Sequence, residues 1–183
     1  MHLEKRFQWG YFMLSTLFLS VLGTGFHFLN DWTANSVWTV WFAPVNESIW
    51  EHLKLLFFPG LLLIILDILF SAKITAYPQR IFASQVCGIF AGMLFITAAY
   101  YTVYGITGRN FDWLNITLFV TGCVLSQFLT LRDLQRNLAA LAIMRWTALL
   151  TVLLFLYLFV RFTHFPPQLP FFMDMQTGIY GIH

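Results

Sequence analysis

The chain has 183 residues, of which 59% are hydrophobic and only 10% are charged, and its formal net charge is +2. Water-soluble domains carry charges on about a quarter of their residues. This composition therefore excludes a soluble enzyme, a nucleic-acid-binding protein and a disordered chain, and predicts an integral membrane protein.

The first predicted element is a membrane-spanning helix over residues 10–29. A helix needs about 20 mostly apolar residues to cross a bilayer, and this run has that length. A signal peptide would have a shorter apolar core and a small-residue cleavage site, so an uncleaved span is expected. Residues 31–45 then hold three tryptophans among polar residues. Because tryptophan favours the headgroup region, this short stretch predicts an interfacial or re-entrant segment.

The second predicted span covers residues 47–71 and starts with the letters NESIWEHLKL. Ser48 and Glu51 match a capping box, in which the hydroxyl and the carboxylate each accept a backbone N–H of the first helical turn. Pro59 lies inside the span and removes one helical hydrogen bond, so a kink is expected there.

Three further apolar runs predict spans over residues 83–106, 113–131 and 138–162, and the tail over residues 164–183 contains three prolines that exclude a sixth span. Five spans use about 100 residues and leave no room for a separate soluble domain. Residues 1–183 are therefore expected to form a single membrane domain, an all-α polytopic bundle of five transmembrane helices.

A stripe of small side chains lies in the third predicted span, at Ser84, Gly88 and Gly92. Such stripes let two helix backbones approach closely in lipid. The stripe is expected to pack against a neighbouring helix or, if the protein is a structural subunit of a membrane complex, against a helix of a partner protein.

Positively charged residues divide unevenly between the two ends of the predicted bundle. One end holds Lys5, Arg6, Lys73, Arg80, Arg132 and Arg136, with Arg145 close by, and the other holds Lys54, Arg109 and Arg161. Cytoplasmic loops carry an excess of lysine and arginine. This distribution predicts that the N-terminus is inside and the C-terminal tail is outside.

Three of the five histidines and most of the carboxylates fall at the predicted outer end, which makes that end the candidate site. Glu47, Glu51 and Lys54 are expected on one face of the second helix, with His52 about 100° away. Ionisable groups in or near a membrane are costly and tend to be functional. The leading hypothesis is an outward-facing pocket that binds a solute or a lipid and, in one version, transports it. Its predicted contact residues are Asn46, Glu47, Trp50, Glu51, Lys54, Arg109 and Asp174.

The alternative hypothesis is a membrane-embedded, metal-dependent hydrolase. Its predicted ligands for a zinc-like divalent metal ion are His27, His52 and His164, because histidine nitrogens suit such ions. Glu47 or Glu51 would then be the catalytic general base that takes a proton from the bound water.

A second polar set lies deeper in the membrane, towards the predicted cytoplasmic side. Asp67 interrupts the apolar run LLLIILDILF, and Arg145 falls at a similar depth in the fifth span, with Gln85 and Gln127 at that depth as well. Opposite charges in lipid are expected to pair. We predict an Asp67–Arg145 ion pair supported by the two glutamines, with a structural role or, alternatively, a role in a proton or ion relay.

The segment NESIWEHLKL resembles the signature of a family of small prokaryotic membrane proteins of unknown function. The histidine of the first span and a tail of the form Pro-Pro…Pro…Phe…Asp…Thr-Gly…Tyr-Gly over residues 166–181 are similar as well. The resemblance implies a fold and a prokaryotic cytoplasmic membrane, and no chemistry. It singles out His27, Asn46, Glu47, Glu51, His52, Lys54 and Asp174.

Overall fold

The computed structural model describes residues 5–34, 36–70, 78–136 and 142–182. The helices are α1 (Lys5–Trp32), α2 (Ile49–His52), α3 (Lys54–Phe70), α4 (Pro78–Thr107), α5 (Asp112–Arg136) and α6 (Ala142–His164), with 3-10 turns at Thr39–Trp41 and Pro170–Phe172. The described residues form no β-strand, so the predicted all-α class is confirmed. Lys73 and the predicted element ends at residues 1, 71, 138 and 183 lie outside the described residues.

Five helical stretches of the described chain are long and apolar enough to cross a bilayer. They are Gln8–Trp32, Ile49–Phe70, Arg80–Thr107, Asp112–Gln135 and Ile143–His164. The second stretch consists of α2 and α3, which are joined through Leu53. The polytopic bundle of five spans is thus confirmed, while its orientation in the membrane remains a prediction.

The first turn of the second span shows half of the predicted capping box. Ser48 Oγ accepts a hydrogen bond from Glu51 N at 3.2 Å, which makes Ser48 the N-cap. The second bond of a capping box would run from Ser48 N to the Glu51 carboxylate, but Ser48 N donates to Asn46 Oδ1 at 3.0 Å instead. Because Ser48 is the N-cap, Glu47 precedes the helix. The face predicted for Glu47 together with Glu51 and Lys54 is wrong, since helical periodicity does not apply ahead of an N-cap.

The small-residue stripe of α4 packs against α5 of the same chain. A Cβ atom at Gly92 would lie 2.7 Å from Gly122 O, and one at Gly88 would collide with Thr130 and with the backbone of Ser126. Two helices approach this closely only where a side chain is missing. Because α5 already fills the stripe, the alternative that the stripe faces a partner protein is wrong.

Candidate functional site

Three side chains from separate parts of the chain meet at one end of the bundle. This end, called the outer end below, carries the α4–α5 turn and the tail that follows α6. His27 lies near the end of α1, Glu47 precedes the N-cap of α2, and His52 ends α2. One nitrogen or carboxylate oxygen from each residue lies within 4.8 Å of those of the other two. The structure thus brings together two of the predicted metal ligands and one predicted general base.

The ring of His52 is oriented by the first turn of the second span. Its Nδ1 atom lies 2.9 Å from Ser48 O, and because a carbonyl oxygen only accepts, Nδ1 carries the hydrogen. The other ring nitrogen, Nε2, faces Glu47 Oε2 at 3.3 Å. The hydrogen bond with His52 lowers the pKa of Glu47 below its usual value and outweighs the opposing effect of burial. Glu47 is therefore a carboxylate at neutral pH.

The ring of His27 lies beside the ring of His52. The two ring centroids are 5.2 Å apart, and the planes are tilted by 55°. Within the described chain, the Nδ1 atom of His27 is buried and has no hydrogen-bond partner. Buried polar atoms are nearly always hydrogen-bonded. At this end of the described chain, the Nε1 atom of Trp50 and the hydroxyls of Tyr100 and Tyr101 also lack a partner.

α1 brings His27 to this position because it packs closely on α3. Gly23 lies one turn before His27, and a Cβ atom there would be 2.5 Å from Leu55 O and would collide with the ring of Phe119. The Leu55 carbonyl lacks its ordinary helical donor, because Pro59, four residues later, has no N–H. This carbonyl can therefore face the bare backbone of Gly23.

The tail folds back onto the loop that carries Glu47. Asn46 Nδ2 donates to Gly181 O at 2.9 Å, and Glu47 N donates to Asp174 Oδ2 at 3.4 Å. Asp174 Oδ1 accepts two further backbone N–H groups, of which that of Gln176 is 2.7 Å away. Burial raises the pKa of Asp174, but these backbone hydrogen bonds outweigh it and hold the pKa below its usual value. An ionised Asp174 therefore ties the tail to the site.

A cleft of about 390 Å³ opens beside these groups. It is lined by polar residues His27, Glu47, His52, Asp112, Asn115, Gln176 and Thr24, and by apolar residues Phe28, Leu55, Ile116 and Phe119. Ile116 is 64% exposed and Phe28 is 43% exposed. The apolar part of the cleft therefore continues into the lipid-facing surfaces of α5 and α1.

Glu51 and Lys54 form a buried ion pair that is separate from the cleft. Lys54 Nζ lies 2.7 Å from Glu51 Oε2 and also donates to Thr163 Oγ1 at 2.7 Å and to the carbonyls of Val40 and Ala43. Thr163 in turn donates to Glu51 Oε1 at 2.7 Å. The two charged residues are 2% and 0% exposed. Their predicted roles in ligand binding, and that of Glu51 as a general base, do not fit this arrangement.

Trp50 packs in an aromatic cluster, whereas the sequence predicts a contact with a ligand. Its ring centroid lies 4.7 Å from that of Phe159 and 5.2 Å from that of Phe172. Three further rings, those of Phe155, Phe162 and Phe171, complete the cluster. Trp50 therefore joins α2 to α6 and to the tail, and it is buried away from the cleft.

Two other predicted site residues lie apart from the three converging groups. Arg109 is in the exposed turn between α4 and α5. His164 is exposed at the end of α6, and its Nδ1 atom lies 3.0 Å from Val160 O. The adjacent Thr163 faces the Glu51–Lys54 pair, and successive helical residues point about 100° apart. His164 is therefore turned away from the metal-ligand group that the sequence predicts for it.

Among the described residues, the carboxylate of Asp67 accepts hydrogen bonds from two uncharged side chains, and Arg145 is not its partner. Tyr11 Oη donates to Asp67 Oδ2 at 2.5 Å, and Gln85 Nε2 donates to the same oxygen at 2.7 Å. Gln127 Nε2 donates to Gln85 Oε1 at 3.1 Å. The ion pairs found among the described residues do not include Asp67 with Arg145. The predicted pair does not form, because α1 and α4 are the helices that pack on α3 at this depth.

Sequence reasoning did not assign four polar residues of the cleft to the site, namely Thr24, Asp112, Asn115 and Gln176. On α5, Asp112 and Asn115 are three residues apart, and Phe119 follows four residues later. This spacing puts all three on one helix face, and it could have indicated a polar patch facing the site. No comparable signal in the sequence indicates Gln176, because its position depends on the fold of the tail.

A family model matches residues 1–182 of the chain, and its description is "Family of unknown function (DUF6512)". Neither the curated proteins nor the solved structures contain a match to the chain. The match covers nearly the whole sequence. It includes the NESIWEHLKL segment, the first-span histidine and the tail on which the predicted resemblance depends.

Proposed function

Since the chain belongs to DUF6512, a family of unknown function, we propose that this integral membrane protein binds a membrane amphiphile at its outer end. The observation that supports this proposal is the composition of the cleft, which combines polar side chains with an apolar wall open to the lipid. A polar head group would contact Asn115 and Gln176. The attached acyl chain would lie against Ile116 and Phe28, beside the bilayer.

An amphiphile fits this cleft better than a water-soluble solute does. Glu51, Lys54 and Trp50, which would recognise a polar solute, are engaged inside the protein. The cleft has an apolar wall, and an acyl chain that packs against this wall keeps its apolar surface away from water. Ligand pockets occupy about 300–1,000 Å³, so this cleft suits a head group and the first part of a chain. Transport of the ligand stays a prediction.

The proposal is tested by thermal unfolding of the detergent-solubilised protein with added amphiphiles. A monoacylglycerol and a lysophospholipid are the probes, and glycerol and phosphocholine are the head-group controls. A ligand that binds the folded state raises the midpoint of unfolding. We expect this rise with the amphiphiles and not with the head groups alone.

Two tryptophan variants locate the binding site. Ile116→Trp fills the cleft, and Ile143→Trp places the same bulk on the lipid-facing surface of α6, at a position that is 71% exposed compared with 64% for Ile116. The rise should be retained in Ile143→Trp and largely lost in Ile116→Trp. An equal rise in both variants, or an equal rise with the head groups alone, would overturn the proposal.

A further inference from the structure

We infer that His27, Glu47 and His52 bind one divalent transition-metal ion. This inference goes beyond amphiphile binding, because the three side chains would hold the ion whether or not the cleft is occupied. The ligand set also differs from the sequence prediction, in which His164 is the third ligand. Glu47 takes that place as a carboxylate ligand.

The separation of the ligand atoms fits a shared ion. Zinc lies about 2.0–2.2 Å from histidine nitrogens and carboxylate oxygens, so two ligand atoms at tetrahedral or octahedral angles are about 3.0–3.5 Å apart. His52 Nε2 and Glu47 Oε2 are 3.3 Å apart. One ring nitrogen of His27 lies within 4.8 Å of a ligand atom of each of these two residues. An ion could bind the first two groups without moving them, and His27 would approach by a small ring rotation.

His52 is already oriented as a metal ligand. Histidines that bind metals usually donate their other ring N–H to a carbonyl or a carboxylate, which fixes the tautomer and the ring orientation. The Nδ1 atom of His52 makes this bond to Ser48 O at 2.9 Å. The other ring nitrogen, Nε2, faces Glu47 on the side where the ion would lie, and it would give up its hydrogen when the ion binds.

Glu47 is also held in place by the surrounding chain. Its backbone N–H is bonded to Asp174, and the preceding Asn46 is bonded to the backbone of Gly181. These contacts fix the position of the loop on which the carboxylate lies. A ligand that is held in place before the ion arrives loses less conformational freedom on binding.

A simple Glu47–His52 ion pair is the competing explanation for the 3.3 Å contact. It requires a positively charged His52 with its ring centroid 5.2 Å from that of His27, and it leaves the buried Nδ1 atom of His27 without a role. One bound ion engages all three residues with His52 neutral. The geometry therefore favours the ion.

The donor set indicates which ions would bind. Two imidazoles with one carboxylate suit Zn²⁺, Fe²⁺ and Mn²⁺, whereas Mg²⁺ and Ca²⁺ prefer oxygen ligands alone. Zn²⁺ is expected to bind more tightly than Fe²⁺ or Mn²⁺ by the usual order of affinities. Three protein ligands leave a coordination position for water or for an oxygen of a ligand in the cleft.

The test is a titration of chelator-treated full-length protein with Zn²⁺, with no amphiphile added and with an affinity tag that contains no histidine. Mg²⁺ is the control ion. We expect about one Zn²⁺ per chain by elemental mass spectrometry, and a rise in the unfolding midpoint with Zn²⁺ but not with Mg²⁺. A wild-type protein that binds no Zn²⁺ would overturn the inference.

Matched variants decide whether these three residues are the ligands. His27→Gln, His52→Gln and Glu47→Gln should each weaken Zn²⁺ binding about 100-fold or more, because outer-shell changes alone cost 10–100-fold. His164→Gln, which removes an outer-end histidine outside the group, should leave the affinity unchanged. Glu47→Asp keeps a carboxylate and should recover part of the loss in Glu47→Gln.

The outcomes separate metal binding from folding and from amphiphile binding. Loss of binding in His164→Gln, full binding in His27→Gln, or no difference between Glu47→Asp and Glu47→Gln would each overturn the ligand assignment. The unfolding midpoint of each variant, measured without Zn²⁺ and without amphiphile, is compared with that of wild type and reports whether the variant is folded. Failure of the Zn²⁺ titration leaves the amphiphile result standing, and the reverse also holds.

Discussion

The pair Glu47 and His52 and the pair Glu51 and Lys54 are close together in the sequence, but the structure places them in different surroundings. Glu47 and His52 face the cleft, while Glu51 and Lys54 are enclosed between the second span, α6 and the segment before Pro44. Burying two charges costs several kcal/mol per ion, and only good geometry with further hydrogen bonds offsets this cost. The contacts of Lys54 provide those bonds, so its pair with Glu51 serves the fold.

Lys54→Met should lower the free energy of unfolding by about 3–5 kcal/mol, because Glu51 would remain buried and charged without its counter-ion. The double variant Glu51→Gln/Lys54→Met should recover most of this loss, since it leaves no buried charge. Denaturant unfolding in detergent measures both. If the double variant were as unstable as Lys54→Met, the explanation by an unpaired charge would be wrong.

At the scale of the helices, close contacts at glycine determine which side chains can meet. α4 and α5 approach through Gly92 and Gly122, and α1 approaches α3 through Gly23. The second approach matters for the site, because His27 is carried on α1 while Glu47 and His52 belong to the second span. The distance between α1 and α3 therefore sets the distance between the two histidines.

Gly23→Ala should push α1 away from α3 and destabilise the protein by about 1–3 kcal/mol, the usual cost of overpacking. Gly25→Ala is the matched control on the same helix, because its added Cβ would meet no atom within 4 Å. That variant should keep or slightly raise stability, since alanine favours helix more than glycine does. Thermal unfolding compares the two, and equal effects would contradict the close-approach argument.

Over the whole molecule, polar side chains gather at two depths of the bundle. The outer end holds the cleft and the tail, and the opposite half holds Asp67 with Tyr11 and Gln85. Near that opposite end, Ser84 Oγ donates to Asp133 at 2.6 Å. The positive-inside rule predicts that this second half faces the cytoplasm. The cleft would then open to the outside of the cell.

Cysteine labelling in intact cells tests this orientation. In a background with Cys87→Ser and Cys123→Ala, Gln168→Cys lies in the tail and Gln135→Cys lies near the end of α5, and both positions are exposed. A membrane-impermeant maleimide should label Gln168→Cys in intact cells and Gln135→Cys only after the cells are permeabilised. The reverse pattern would show that the tail is inside.

Local features of the fold could be predicted from the sequence, and contacts between distant residues could not. The Ser48 cap depends on groups within one helical turn, so it was found. The partner of Asp67 could not be predicted in this way. Hydropathy gives the depth of a residue in the membrane, and it does not choose between polar groups that lie at the same depth. Tyr11 and Arg145 are both such groups, and only the packing of α1 against α3 selects Tyr11.

By itself, the sequence determined that this protein is a bundle of five membrane-spanning helices, with most of its carboxylates towards one end and most of its lysines and arginines towards the other. Hydropathy over about 20 residues and charge in the loops are local properties, and they decide which segments lie in lipid. Only the tertiary structure decided that Glu47 joins His27 and His52 while Glu51 joins Lys54 and Thr163. The physical reason is that Thr163 is 112 positions from Glu51, and such contacts follow from how closely whole helices pack.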